Sequence, residues 1–225
     1  MKFTIIAFCF SIAFIAKASP FVNLDFQSPN TAGIRNNSGL VKNIIPGWQL
    51  EAGGEPQQTM FYNTLCLSCP GAFLRGPINP RAGAEFVFTF KSGIPLLDPN
   101  REPASASVFQ VGDVPADARS LLFDSNFSPT IDFLKVYLGG KKLDVQLFDF
   151  SGLSVYGADI TGFAGKNTEL RFTVLPPPFP QDAGGTLADI RFSAEALPVI
   201  PEPSIVSLLG LGLPVAFLLL KRTAL

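Results

Sequence analysis

Apolar and polar positions alternate with a period of two through much of the chain's interior, the mark of strands that bury one face. Phe86, Phe88 and Phe90 alternate with Glu85, Val87 and Thr89 and predict a strand with one aromatic face. Leu134, Val136 and Leu138 alternate with Lys135 and Tyr137; Gly139-Gly140 then turns the chain into Leu143, Val145 and Leu147, which reads as a hairpin. Leu170, Phe172 and Val174 repeat the pattern, as do Ala188, Ile190 and Phe192. No interior stretch sustains the helical period of about 3.6 residues, and Pro115-Ala116-Asp117-Ala118 predicts one turn at most. Short strands separated by Gly and Pro predict an all-β fold, an antiparallel sandwich forming one domain over residues 19–193.

The two ends break this alternation. From Ser204 to Leu220 the chain carries no charge, and as a helix at about 1.5 Å per residue this run reaches roughly 26 Å, just under the ~30 Å of a bilayer core. It predicts a single transmembrane helix over 204–220. Lys221 and Arg222 follow it and place the tail, 221–225, on the cytoplasmic side, with everything upstream outside. Residues 194–203 form a Pro-rich linker with Pro198, Pro201 and Pro203. The other end has Lys2, an apolar run from Phe3 to Ala16, and Ala16-Lys17-Ala18, the three parts of a secretory signal peptide over 1–18. Cleavage there leaves Ser19 as the first residue; an uncleaved anchor is the alternative, and both put the domain outside the cytoplasm.

Charge and composition narrow the chemistry. Four of the 17 basic residues sit in the two ends, so the exported part holds 13 against 18 acidic residues, a formal charge of −5. Such a surface does not gather phosphates, which argues against nucleic acid as a partner. The chain has no histidine, which removes Ser-His-Asp and Cys-His catalysis and His-ligated zinc. Cys66 and Cys69 are the two cysteines outside the signal. Their spacing fits a local disulfide in an oxidising compartment, with free thiols as the alternative, and no second Cys pair completes a metal site. Asp144, Asp149 and Asp159 are spread along strands in a way that designates no acid and base pair, so the sequence points to no enzyme.

Two stretches carry family resemblances. Pro201-Glu202-Pro203, then an apolar run containing Gly210 and Gly212, then Lys221-Arg222, resembles the PEP-CTERM sorting signal of exported bacterial proteins. The resemblance implies export through the Sec machinery, a transient membrane stage, recognition by exosortase with cleavage near the triplet, and delivery to the cell envelope, outer surface or extracellular matrix. The two prolines suit a protease site, because they keep the peptide extended at the membrane face. Val22-Asn23-Leu24-Asp25-Phe26-Gln27, Pro46-Gly47-Trp48, the strand at 118–123, the stretch at 158–172 and Leu187-Ala188-Asp189-Ile190 are similar to galactose-binding-like jelly rolls. That resemblance implies an antiparallel jelly-roll β-sandwich and a structural calcium where the first and last strands meet. The matching positions are Asp25, Gln27 and Asp189, with Gln27 where the family has Glu and Ala188 where it often has Asp.

Trp48 follows Pro-Gly at a strand start and is expected in the core. Tyr62, Tyr137 and Tyr156 combine ring area with a polar tip and are the candidate glycan-binding residues. The expectation is an exported surface or matrix protein, processed by exosortase, whose sandwich binds extracellular polysaccharide. The alternative is a non-catalytic structural surface protein held by its C-terminal anchor.

Overall fold

The computed structural model describes residues 19–34, 36–64, 71–76, 86–93, 104–128, 131–150, 153–176 and 183–197. In chain order the elements are β1 (Ser38–Leu40), α1 (Val41–Ile44), β2 (Gln49–Ala52), β3 (Glu55–Gln57), β4 (Thr59–Tyr62), β5 (Gly71–Arg75), β6 (Val87–Lys91) and β7 (Ala106–Asp113). They continue with β8 (Ser120–Ser128), β9 (Leu134–Leu138), β10 (Lys141–Lys142), β11 (Gln146–Phe150), β12 (Leu153–Asp159), β13 (Asn167–Val174) and β14 (Gly184–Ser193). Single 3-10 turns lie at Ile131–Phe133 and Thr161–Phe163.

The strands form two sheets around a shared core, a β-sandwich. One has eight strands in the order β1-β4-β5-β6-β14-β8-β12-β11, the other six in the order β10-β9-β13-β7-β2-β3. Pairing is antiparallel except between β4 and β5, where Phe61 and Tyr62 run parallel to Phe73 and Leu74. Alternation does not show this pair, because it sets which face a residue takes and not the direction of its neighbour.

The clean alternations lie where they should. Phe88 and Phe90 of β6, Leu134, Val136 and Leu138 of β9, and Leu170, Phe172 and Val174 of β13 are all buried. Two alternations are corrected. In β14 the buried positions are Leu187 and Ile190, not Ala188 and Phe192, because a bulge between Ala188 and Arg191 sets one extra residue against β8. Asp189 sits in that bulge with φ +46°, and the extra residue shifts the phase of the strand by one. The hairpin after Gly139-Gly140 is also shorter than the pattern implied. β10 pairs for two residues, the Leu143 N–H donates to the Val136 carbonyl at 2.9 Å, and the chain then leaves for β11 at the edge of the other sheet, where Leu147 is 52 % exposed.

A continuous run of aromatic rings joins the sheets. Phe88 stacks on Phe26 at 4.3 Å and Phe26 on Trp48 at 5.2 Å; Trp48 meets Phe172 at 6.4 Å, Phe172 meets Phe123 edge-on at 5.3 Å, and Phe123 stacks on Tyr156 at 5.7 Å. Such pairs contribute about 0.5–1.5 kcal/mol each beyond the area they bury. Trp48 is a core residue, as expected, and its indole N–H donates to the Asn23 carbonyl at 2.9 Å.

The opening segment, 19–28, is strapped to both sheets by side-chain amides. Gln110 of β7 is 2 % exposed, accepts from the Val22 N–H at 2.9 Å and donates to the Val22 carbonyl at 3.0 Å. Gln27 does the same with Phe86, accepting and donating at 2.8 Å. Each amide thereby stands in for one rung of a strand ladder. Phe26 adopts φ +59°, an unfavourable conformation for a bulky residue, and its full burial between Trp48 and Phe88 offsets that cost. Gly47, at φ +86°, is required by the same packing, since a Cβ there would come within 2.3 Å of the Val22 side chain.

Among the described residues no helix is long and apolar enough to cross a membrane. The signal peptide with Ala16 and Ala18, the Cys66 and Cys69 pair, the sorting residues Pro201, Glu202, Pro203, Lys221 and Arg222, and the expected helix at 204–220 all lie outside the described residues.

Candidate functional site

The outward face of the six-stranded sheet brings its polar residues into cross-strand rows. Lys142, Tyr137, Arg171, Phe109 and Gln49 stand in register across β10, β9, β13, β7 and β2. At about 4.8 Å between strands the row is roughly 19 Å long. Beside it runs Lys135, Thr173, Ser107 and Glu51, with Ser107 and Thr173 hydroxyls hydrogen-bonded at 2.9 Å.

Arg171 is the fixed point of this face. Its guanidinium lies 3.9 Å from the centroid of Phe109, donates through Nη1 to Glu51 at 2.5 Å and through Nε to Glu169 at 2.7 Å. Burial works against the charged form, but hydrogen bonds to Glu169 and then Glu51 outweigh it and hold the pKa above the ordinary arginine value. A planar cation clamped over a ring by two carboxylates has little rotamer freedom left. The face is therefore preorganised rather than adaptable.

The three tyrosines do not converge. Tyr137 is half-buried on the outward row, next to Arg171. Tyr62 lies on β4 of the other sheet, also half-buried. Tyr156 is corrected as a surface candidate: it is 9 % exposed, its ring packs on Phe123, and burial raises its phenol pKa. A ring so covered offers no face to a sugar.

The opening segment and last strand do meet, where the Ile190 N–H donates to the Leu24 carbonyl at 3.2 Å. The residues expected to bind calcium there have other partners. Gln27 uses its amide oxygen on the Phe86 N–H and its amide nitrogen on the Phe86 and Asp25 carbonyls. Asp25 accepts from the Gln27 N–H at 3.0 Å, and Asp189 pairs with Arg191. A glutamate at 27 could not donate to those carbonyls, so glutamine is the residue that suits this strap. Among the described residues no three acidic, Cys or His side chains gather as a metal would require. Asp25, Gln27 and Asp189 are thus each engaged within the protein.

Asp124 of β8 joins Asp189 and Arg191 on the outward face of the eight-stranded sheet. One of its carboxylate oxygens is buried with no hydrogen-bond partner and lies 3.7 Å from Arg191. Burial, then the charge of Asp189, raise its pKa, while Arg191 opposes them. A folded-state pKa above the unfolded value gives stability that is present in acid and lost as pH rises through the folded pKa. Asp124→Asn is therefore expected to be as stable as the parent or up to ~1 kcal/mol more stable at pH 7, with that advantage gone below about pH 4. Thermal melts of both proteins across this range check it, and a difference that ignores pH would contradict it.

The chain matches no protein-family model, no curated protein and no solved structure. The site therefore rests on its own residues. Nothing in the sequence singles out Arg171, Phe109, Glu51 or Glu169: Phe109 and Glu51 become neighbours of Arg171 through strand register, with Glu51 lying 120 positions from it in the chain, and Glu169 lies two residues before it on β13. Gln110 carried one readable signal, a polar residue at a position whose alternating neighbours Ala106 and Val108 point inward.

Proposed function

We propose that this chain is an exported bacterial surface protein whose sandwich, a galactose-binding-like jelly roll, binds extracellular polysaccharide through the outward face of the six-stranded sheet. Its last residues, from Pro201 to Arg222, are read as a PEP-CTERM signal that exosortase recognises after Sec export. The observation that carries the binding reading is the row in which Tyr137 stands beside an Arg171 already clamped by Glu51, Glu169 and Phe109. An aromatic ring flanked by fixed polar groups is what a pyranose needs, an apolar plate with hydrogen-bonding partners at its rim.

The way the chain leaves the domain supports the same reading. After β14 the segment 194–197 crosses the outward face of the eight-stranded sheet: Ser120 donates to the Glu195 carbonyl at 2.8 Å, and Leu197 packs over Gly157. Residues 194–197 thus lie on the face opposite Tyr137, away from the binding row. A non-catalytic role fits the pairing of Glu51 and Glu169, since both are tied to one arginine rather than set across a cleft as acid and base.

The purely structural reading is favoured by one feature. Three sheet edges are blunted: β1 is three residues long, β3 contains Pro56, and β10 is Lys141-Lys142. The fourth, β11, has five residues and exposed Leu147, and would serve self-association.

Protein recovered from the producing cells' surface is the material that tests this. It is expected to be retained on the producer's own polysaccharide and to have an intact mass that ends near Pro201 to Ser204. Surface protein that still ends at Leu225 would contradict processing. Passage without retention, together with self-association, would favour the structural reading.

A further inference from the structure

The binding row does not stop at Phe109. Between α1, β2 and β3 the surface closes into a groove of about 350 Å³, whose lining includes Phe109, Trp48, Leu40, Gln49, Gln58 and Glu51. That volume is at the small end for ligand sites, which run from about 300 to 1,000 Å³. The side chains of Gln49 and Gln58 make no hydrogen bond to another described residue, and both are exposed. Each offers a donor and an acceptor together, the same pair that a sugar hydroxyl presents in return. Glu51 adds an acceptor that Arg171 already holds in place, so binding orders one side chain fewer.

We infer that this groove is a subsite for an uncharged hexose unit of the polysaccharide whose neighbouring units run along Phe109 and Arg171 to Tyr137. The inference rests on the polysaccharide-binding reading above. Charge sets the class of sugar within the groove: its lining holds one acid, Glu51, tied to Arg171, and one base, Lys42, exposed to solvent, so the groove itself carries no net charge to draw in a uronate or phosphate unit, while Lys135 and Lys142 lie at the Tyr137 end of the face. An added peptide strand is a poorer occupant, because Pro56 takes a ladder donor out of the bordering strand β3.

The test uses the full chain in a polyoxyethylene detergent, which has no sugar headgroup, on immobilised galactomannan, dextran and alginate at low and high salt. The expected result is binding to a neutral polymer with little salt dependence. Changing Gln49→Ala and Gln58→Ala together should weaken it about tenfold, with an unchanged melting temperature. Neutral-polymer binding that Tyr137→Ala weakens but the double variant leaves intact would overturn the subsite and spare the general reading. Binding to alginate alone, lost in high salt, would overturn the uncharged class, and displacement of a bound neutral polymer by an extended peptide would overturn the occupant. Failure of the parent chain to bind any of the three would overturn the subsite and its premise together.

Discussion

Phe172→Ala is expected to destabilise the protein by about 3–5 kcal/mol, the cost of truncating a fully buried phenylalanine in a core that cannot collapse around the loss. Phe172 is 0 % exposed and is the ring of β13 that touches both Trp48 and Phe123, so it carries the aromatic run from one sheet to the other. For a domain of this size each kcal/mol moves the melting temperature by roughly 2–4 °C, which predicts a fall of about 6–20 °C. Val111→Ala, on the outward face of the neighbouring strand at 54 % exposure, should change stability by no more than ~0.5 kcal/mol. Equal effects at the two positions would show that the rings do not join the sheets as described.

Gln110→Glu is the second large effect, and its sign depends on pH. At neutral pH the introduced carboxylate would be buried at a position 2 % exposed and would face the Val22 carbonyl, which now receives an amide hydrogen at 3.0 Å. Leaving a charge uncompensated in such a place costs about 3–5 kcal/mol. Burial raises the folded-state pKa of that carboxyl above the ~4.3 of an unfolded glutamate. Its penalty is therefore absent below about pH 4, where both states are protonated, and grows as pH rises through the folded pKa. Melts of parent and variant should converge in acid and diverge at neutrality. A constant gap would mean that the amide's shape, and not its donor, holds the opening segment.

How much of this was legible in the sequence follows from the range of each signal. Strands β6, β9 and β13 were readable because one residue in two is buried without interruption. Strand β14 was not, since Asp189 in the bulge shifts the phase of everything after it, and nothing local marks an aspartate that takes a positive φ. Leu147 looked like the third residue of a hairpin strand because periodicity cannot show a chain changing sheets. Alternation presents Tyr156 as a surface candidate because it presumes one wet face, whereas β12 has cover on both faces, Phe123 on one and Phe148 with Leu197 on the other. The Arg171 cluster was out of reach for a different reason. Apart from Glu169, two residues before Arg171 on β13, its members are separate in sequence and meet only through register.

Retention of the protein on the producer's extracellular polysaccharide tests the central claim most directly, with parent and Tyr137→Ala run side by side. Tyr137 stands on the outward row, half-buried, so its loss should leave the fold intact while removing the plate on which a sugar rests. The account predicts that the parent is retained and that the variant binds about tenfold more weakly. A parent that is not retained, or a variant retained equally well, would contradict it.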